Sequence, residues 1–199
     1  MNRKILILGA AIAALNLAAC GQKTETKGAA TPAEQMATPD ANPSATVPTM
    51  ADETKAADFV MKAADSNMFE IEAGKLAAQR SSNAEVKKFA NMMVDAHTTV
   101  GADMKSAIAA SGDTTLMAPT ALSKDMADKL DDLRKADNKD FDKKYADDMV
   151  DTHQATLNLL QRYAEAGDNA SLKAFAAATA PKVQEHLNMA EGLKNGFVH

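Results

Sequence analysis

The strongest constraint on the fold is the spacing of apolar residues after Ala51. They recur at intervals of three and four, and no stretch alternates polar and apolar residues as a strand would. Breaks in this pattern fall at Ser81-Ser82-Asn83, at Ser111-Gly112-Asp113 and at Gly167, which are sequences typical of helix ends. The chain is therefore predicted to be all-α.

Four long helices are predicted between these breaks. The first covers about 54–79, the second begins at a capping box of Ser82 and Glu85 and ends near 110, the third covers about 138–166, and the fourth is capped by Asp168 or Asn169. Short turns make the first and second helices one antiparallel hairpin and the third and fourth helices another. Residues 112–137, with a short helix predicted at 122–135, are long enough to cross the bundle between the hairpins. We expect a four-helix bundle of two antiparallel hairpins joined by a long crossover.

Each long helix carries one stripe of inward residues, and each stripe includes a polar residue near its middle. At 3.6 residues per turn, the inward polar residues are Glu70 on the first helix, His97 on the second, His153 on the third and His186 on the fourth. Counted from the hairpin turns at 1.5 Å per residue, Glu70 and His97 differ in height by about 3 Å, and His153 and His186 by about 5 Å. If the crossover makes the second and third helices parallel, all four residues share one layer.

Two interpretations of this layer stay open. Three imidazoles and a carboxylate can bind one transition metal ion, such as zinc, copper or iron. The same residues can form a hydrogen-bonded polar layer that fixes the register of the helices. A di-iron site would need a Glu three residues before a His, whereas valines precede all three histidines at that spacing. Asp95 and Asp151 are candidate partners that orient the histidines.

The N-terminus has the features of a lipoprotein signal peptide. Arg3 and Lys4 precede an apolar run at 5–15 that is too short to span a membrane. Leu17-Ala18-Ala19-Cys20 resembles the lipobox at which lipoprotein signal peptidase cleaves. We therefore expect residues 1–19 to be removed and Cys20, the only cysteine in the chain, to carry the lipid that attaches the protein to the membrane. Gly21 after the cysteine favours the outer membrane, with the domain in the periplasm.

Residues 20–51 are predicted to form a disordered tether, and residues 52–199 the helical domain. The tether contains four prolines and no Leu, Ile or aromatic residue after Cys20, so it cannot offset the entropy of ordering. Loss of the signal peptide removes two positive charges and takes the formal net charge from −5 to −7. This acidity argues against nucleic acid as a partner.

The second and third helices share an internal repeat. Lys-Lys-Phe-Ala-x-x-Met-Val-Asp-x-His at 87–97 recurs as Lys-Lys-Tyr-Ala-x-x-Met-Val-Asp-x-His at 143–153. The length of the match favours duplication over a chance likeness of two amphipathic helices.

Several of these segments together resemble the bacterial domain-of-unknown-function 4142 family. They are Asp58-Phe59-Val60 with residues 67–72, Val86 to Ala90 with Asp95-Ala96-His97, residues 145–153, and Phe175 to His186. The resemblance implies a ferritin-like helical bundle in a secreted or lipid-anchored protein, and it implies no activity.

Two functions are compatible with these observations. The favoured one is a non-enzymatic envelope lipoprotein, a binding or stress-protection module whose histidine layer is structural or senses pH and whose ligand the sequence does not identify. The alternative is a protein that binds one transition metal ion through Glu70, His97, His153 and His186. The sequence contains no G-x-S-x-G, H-E-x-x-H or glycine-rich phosphate loop, so we assign no catalytic residue and expect no hydrolase.

Overall fold

The computed structural model describes residues 52–197, and all its regular elements in that range are helical. This confirms the all-α prediction. The predicted signal peptide, Cys20, the tether and His199 lie outside the described residues. A short 3-10 turn, Asp52–Thr54, precedes five α-helices: α1 Ala56–Arg80, α2 Ala84–Ala110, α3 Lys124–Lys135, α4 Asn138–Ala166 and α5 Ala170–Asn195. None of the helices in this part of the chain is long and apolar enough to cross a membrane.

The helix ends follow local hydrogen bonding, and one predicted cap is wrong. Asn83, and not Ser82, caps α2, because its side-chain oxygen accepts the N–H groups of Glu85 and Val86. The capping box of Ser82 and Glu85 is therefore absent, and α2 begins one residue later than it would require. Asn169 caps α5 in the same way. Of the two caps predicted for this helix, Asp168 and Asn169, the structure therefore has the second.

The four long helices pack as two hairpins side by side. α1 packs on α2 and α4 packs on α5, while α1 also contacts α4 and α2 also contacts α5. The N–H of Ala56, at the start of α1, donates to Asp168 at the end of α4. Ser171, at the start of α5, donates to the carbonyl of Ala110 at the end of α2. All four neighbouring pairs are therefore antiparallel, and α2 and α4 lie on a diagonal.

The connection between the hairpins returns along α1. It leaves α2 through Gly112, whose φ of 72° is left-handed backbone that suits glycine. The N–H of Ser123 then donates to Asp65 on α1, and α3 packs against α1. Arg80 at the end of α1 donates to the carbonyls of Leu133 and Ala136. The connection thus crosses the length of the bundle, and α2 and α4 run parallel, as predicted.

Two apolar clusters fill the bundle, one towards each end. The first includes Phe59, Leu160 and Tyr163, where the rings of Phe59 and Tyr163 stack with centroids 3.9 Å apart. The second includes Phe69 and Met93. On α2 and α4, His97 and His153 lie between the segments that enter the two clusters. The polar layer is therefore enclosed by apolar packing at both ends.

Candidate metal site in the middle of the bundle

The structure brings together all four polar residues that were predicted to share a layer. Glu70, His97 and His153 are at most 1% exposed, and His186 is 8% exposed. The ring centroids of the three histidines lie 5.4 Å (His97 and His153), 5.3 Å (His97 and His186) and 5.7 Å (His153 and His186) apart. Each side chain comes from a different long helix, so the packing of the bundle holds the cluster in place.

The hydrogen bonds of two histidines fix which ring nitrogen carries the proton. Nδ1 of His153 lies 2.8 Å from the carbonyl oxygen of Met149. Nδ1 of His97 lies 3.1 Å from Oδ1 of Asn67. Because both partner oxygens only accept, each Nδ1 is the donor, and each Nε2 of the neutral ring keeps its lone pair.

The carboxylate of Glu70 lies on the Nδ1 side of these two rings. Its Oε2 is 3.0 Å from Nδ1 of His97, and its Oε1 is 3.3 Å from Nδ1 of His153. Oε1 has no hydrogen-bond partner, because Nδ1–H of His153 points at Met149, whereas Oε2 is close enough to Nδ1 of His97 for a hydrogen bond to add to the effect of its charge. Glu70 therefore acts on the two rings mainly through its charge.

Three ring nitrogens in the cluster are buried without a hydrogen-bond partner. They are Nε2 of His97, Nε2 of His153 and Nδ1 of His186. One nitrogen from each of the three rings lies within 4.8 Å of the others. An unsatisfied buried polar atom costs about 1–3 kcal/mol, so three of them in one place need a physical reason. Three imidazoles with ring nitrogens this close together are suited to a metal ion.

Burial and the charge of Glu70 set the protonation of the cluster. Burial opposes ionisation of Glu70, but attraction by His97 and His153 outweighs it and lowers the pKa of Glu70 below 4.5. Burial likewise favours neutral His97, yet the charge of Glu70 raises its pKa above 6.5. Burial is the main cause that lowers the pKa of His153, and it lowers the pKa of His186 to about 4. Near pH 6.5 the metal-free cluster therefore pairs Glu70 with a protonated His97 and keeps the other two rings neutral.

The low pKa of His186 makes stability of the metal-free protein depend on pH. An unfolded histidine takes up a proton near pH 6.5, whereas folded His186 stays neutral down to about pH 4. Protons therefore favour the unfolded state in this window, and the free energy of unfolding should fall by about 2 kcal/mol between pH 6.5 and 4.5. Urea unfolding in the presence of a chelator measures this loss. His186→Leu should show a clearly shallower fall, and an equally steep fall would contradict the assignment.

A small cavity lies beside Glu70 and His97. Its volume is about 10 Å³, and its polar lining includes Asn67, Thr156 and Thr179. Thr156 also shares a 2.6 Å hydrogen bond with Ser66. The space is just large enough for one water molecule, which could hydrogen-bond to these polar groups.

A larger concave surface lies away from the histidines. It is a groove of about 570 Å³ between the start of α2 and the end of α5, with Phe89, Met92, Met189 and Leu193 in its walls. Its lining contains neither a histidine nor a buried charged group. The metal-binding chemistry of the described residues is therefore concentrated in the mid-bundle layer.

The orienting partners of the histidines differ from those predicted. Asp95 and Asp151 are exposed, because they lie on the outer faces of α2 and α4. Asn67 and the carbonyl of Met149 hold the rings instead. Asn67 lies one turn before Glu70 on the same inward face, and this spacing is the signal that could have identified it.

Three comparisons place the chain among known proteins. The family model described as "Domain of unknown function (DUF4142)" matches residues 39–193. No curated protein matches. The Ag-bound form of CopM, obtained by co-crystallization, is 14% identical with a TM-score of 0.58, and the match covers 73% of this chain and 98% of that one. The Cu(II)-bound form of CopM is 15% identical with the same TM-score, and the match covers 72% and 97%. At these identities the likeness shows a shared fold.

Proposed function

Since the chain belongs to the DUF4142 family, whose description records no activity, we propose from its own residues that it binds one transition metal ion through His97, His153 and His186. The protein would act as a binding and protection module of the cell envelope. We assign it no catalytic residue.

The observation that carries this proposal is the set of three unpaired ring nitrogens. In a purely structural layer, each buried imidazole would be expected to pair both of its nitrogens with neighbouring protein groups. Here His97 and His153 pair only Nδ1, and Nε2 of each ring is left without a partner, as is Nδ1 of His186. A metal ion would accept all three lone pairs at once. The metal-binding alternative is therefore preferred to the structural one that the sequence favoured.

The spacing of the donors fits a single ion after a small adjustment. Zinc binds imidazole nitrogen at about 2.0–2.1 Å. Three nitrogens at the corners of a triangle with 4.8 Å sides would each have to move inward by about 0.7 Å to reach that distance. Side-chain rotation supplies movements of this size. The site does not need a rearrangement of the helices.

The remaining residues of the cluster would support the ligands. Asn67 and the carbonyl of Met149 hold the Nδ1–H groups, which leaves Nε2 of His97 and His153 free for the metal. The sequence suggested Glu70 as a fourth ligand. Since its carboxylate faces the Nδ1 edges of the rings, we assign it the part of a negative charge beside the ligands.

The fold of CopM adds general support. CopM has been solved in an Ag-bound form and in a Cu(II)-bound form. A helical bundle of this fold can therefore hold such ions. The identity of 14–15% transfers no ligand to this chain, so the histidine cluster itself carries the argument.

Elemental analysis tests the proposal directly. The full chain, purified without a histidine tag from its native compartment, should contain close to one equivalent of a transition metal per chain. The double variant His97→Ala/His153→Ala should lose it, because one imidazole cannot hold the ion alone. His199→Ala removes a histidine outside the cluster and should keep it. Absence of metal from the wild-type chain, both as purified and after incubation with metal salts, would refute the function.

We also propose that the protein is lipid-anchored at Cys20 and faces the periplasm, with the outer membrane favoured. The support is the apolar run at 5–15 followed by Leu17-Ala18-Ala19-Cys20. Labelled palmitate should be incorporated into the wild-type chain. The labelled protein should then sediment with membranes. Cys20→Ser should abolish both the label and the sedimentation. Equal membrane association of Cys20→Ser would show that another segment holds the protein.

A further inference from the structure

The histidine layer contains a single carboxylate, and among the described residues no other buried carboxylate lacks a cationic partner. On α1 that carboxylate is Glu70. On α4, Asp148 is buried, but Lys144 lies 3.2 Å away and Lys129 lies 3.8 Å away, so its charge is already compensated. The acidic residues within two positions of the histidines in sequence, Asp95 on α2, Asp151 on α4 and Glu185 on α5, are all exposed to solvent.

The charge of a bound ion must be balanced inside this layer. A buried net charge is costly because little water is present to solvate it, and the cost rises with the square of the charge. Glu70 and a monovalent ion together are neutral. Glu70 and a divalent ion leave one uncompensated positive charge. The neutral side chains around the layer, such as Thr152 and Tyr145, cannot remove that charge.

We propose that the site selects a monovalent soft cation of the Cu(I) and Ag(I) type over divalent ions such as Zn(II). The inference rests on the proposed metal-binding function and specifies its ligand. Three neutral imidazoles supply the donors, and Glu70 supplies the one balancing charge at 3.0 and 3.3 Å from two of the rings. Selectivity is thus set by the number of carboxylates in the layer and not by the identity of the three ligands.

Competition titrations with Ag(I) and Zn(II) measure the selectivity. Ag(I) represents the monovalent class and needs no reductant in the experiment. On the full chain, Ag(I) should bind at least ten times more tightly than Zn(II), with both dissociation constants determined against chelators of known affinity. A Zn(II) constant equal to or lower than the Ag(I) constant would overturn the inference.

Asn67→Asp tests the role of charge with almost no change in shape. Asn67 is buried, and its Oδ1 lies 3.1 Å from Nδ1 of His97, so the substitution adds a second carboxylate beside the ligands. The ratio of Ag(I) to Zn(II) affinity should shift towards Zn(II) by at least tenfold. Asn91→Asp adds the same charge on the exposed face of α2 and should leave the ratio unchanged. An unchanged ratio in a folded Asn67→Asp protein would contradict the charge argument.

Glu70→Gln gives a second, independent measurement. Removal of the carboxylate leaves one net charge with Ag(I) and two with Zn(II), so both affinities should fall and Zn(II) should lose more. A larger loss for Ag(I) would overturn the inference. The two proposals can be refuted separately. If neither ion binds the wild-type chain, the metal-binding function is wrong. If Zn(II) binds more tightly than Ag(I), the metal-binding function stands and only the monovalent selectivity is refuted.

Discussion

Saturation with Ag(I) is expected to raise the melting temperature of the protein by about 10 °C. An ion that binds only the folded state stabilises it by about 4 kcal/mol when its free concentration is 1,000 times the dissociation constant. For a domain of this size, each kcal/mol corresponds to roughly 2–4 °C. Metal binding would also relieve the three unpaired nitrogens in the layer. Thermal unfolding followed by circular dichroism, with and without the ion, measures the shift.

The His153→Leu variant separates metal binding from general effects of the ion. Leucine has a similar volume and removes a buried nitrogen that has no partner, so the metal-free variant should melt within a few degrees of the wild-type chain. Its rise in melting temperature with Ag(I) should be clearly smaller than that of the wild-type chain, because one of the three proposed ligands is missing. His199→Ala should keep the full response. The same rise in His153→Leu as in the wild-type chain would show that His153 is not a ligand of the bound ion.

The sequence was sufficient to predict the layer because two simple periodicities determine it. The 3.6-residue period places His97, His153 and His186 on inward faces, and the number of residues from each turn sets their height. The three histidines share one height only if α2 and α4 run parallel, and the long crossover that contains α3 makes them parallel. Backbone geometry therefore brings the cluster together, whatever the details of side-chain packing.

Contacts within the layer could not be predicted in the same way. Whether Glu70 faces the Nδ1 or the Nε2 edge of a ring depends on side-chain rotamers, which differ in position by several ångströms at the same helical register. The proton on His153 is fixed by the carbonyl of Met149, a backbone group that no sequence motif marks. The choice of Asn83 over Ser82 as the cap of α2 depends on local backbone angles, and the two residue types cap helices about equally well.

The repeat gains a structural meaning from the position of its two copies. Residues 87–97 and 143–153 lie on α2 and α4, the parallel helices on a diagonal of the bundle. Equivalent histidines therefore enter the layer from opposite sides at the same height. Their ring centroids are 5.4 Å apart. One repeated segment thus supplies two of the three proposed ligands.

Arg80 is expected to make the largest contribution of any single surface-facing side chain to stability. Its guanidinium donates to the carbonyls of Leu133, Arg134 and Ala136 at 3.2, 2.7 and 2.8 Å, and to the side chain of Asn138 at 3.1 Å. It also lies 4.2 Å above the centre of the Phe141 ring. One side chain therefore joins the end of α1 to the end of α3 and the start of α4. The carbonyls that it satisfies would otherwise lack partners at a helix end.

Arg80→Ala should lower the free energy of unfolding by about 3 kcal/mol, since charge-assisted hydrogen bonds and a cation–π contact are lost together. The melting temperature should fall by roughly 8 °C. Arg80→Lys should recover little of the lost stability, because an ammonium group cannot reach four acceptors in the geometry of the guanidinium.

Arg134→Ala is the matched control: its ion pair with Asp131 is half exposed and should contribute less than about 0.5 kcal/mol. Hydrogen exchange provides an independent measurement, because the amides of α3 should exchange faster in Arg80→Ala while those in the middle of α2 change only with the global stability. Equal losses of stability in Arg80→Ala and Arg134→Ala would show that α3 is held by its apolar packing on α1 alone.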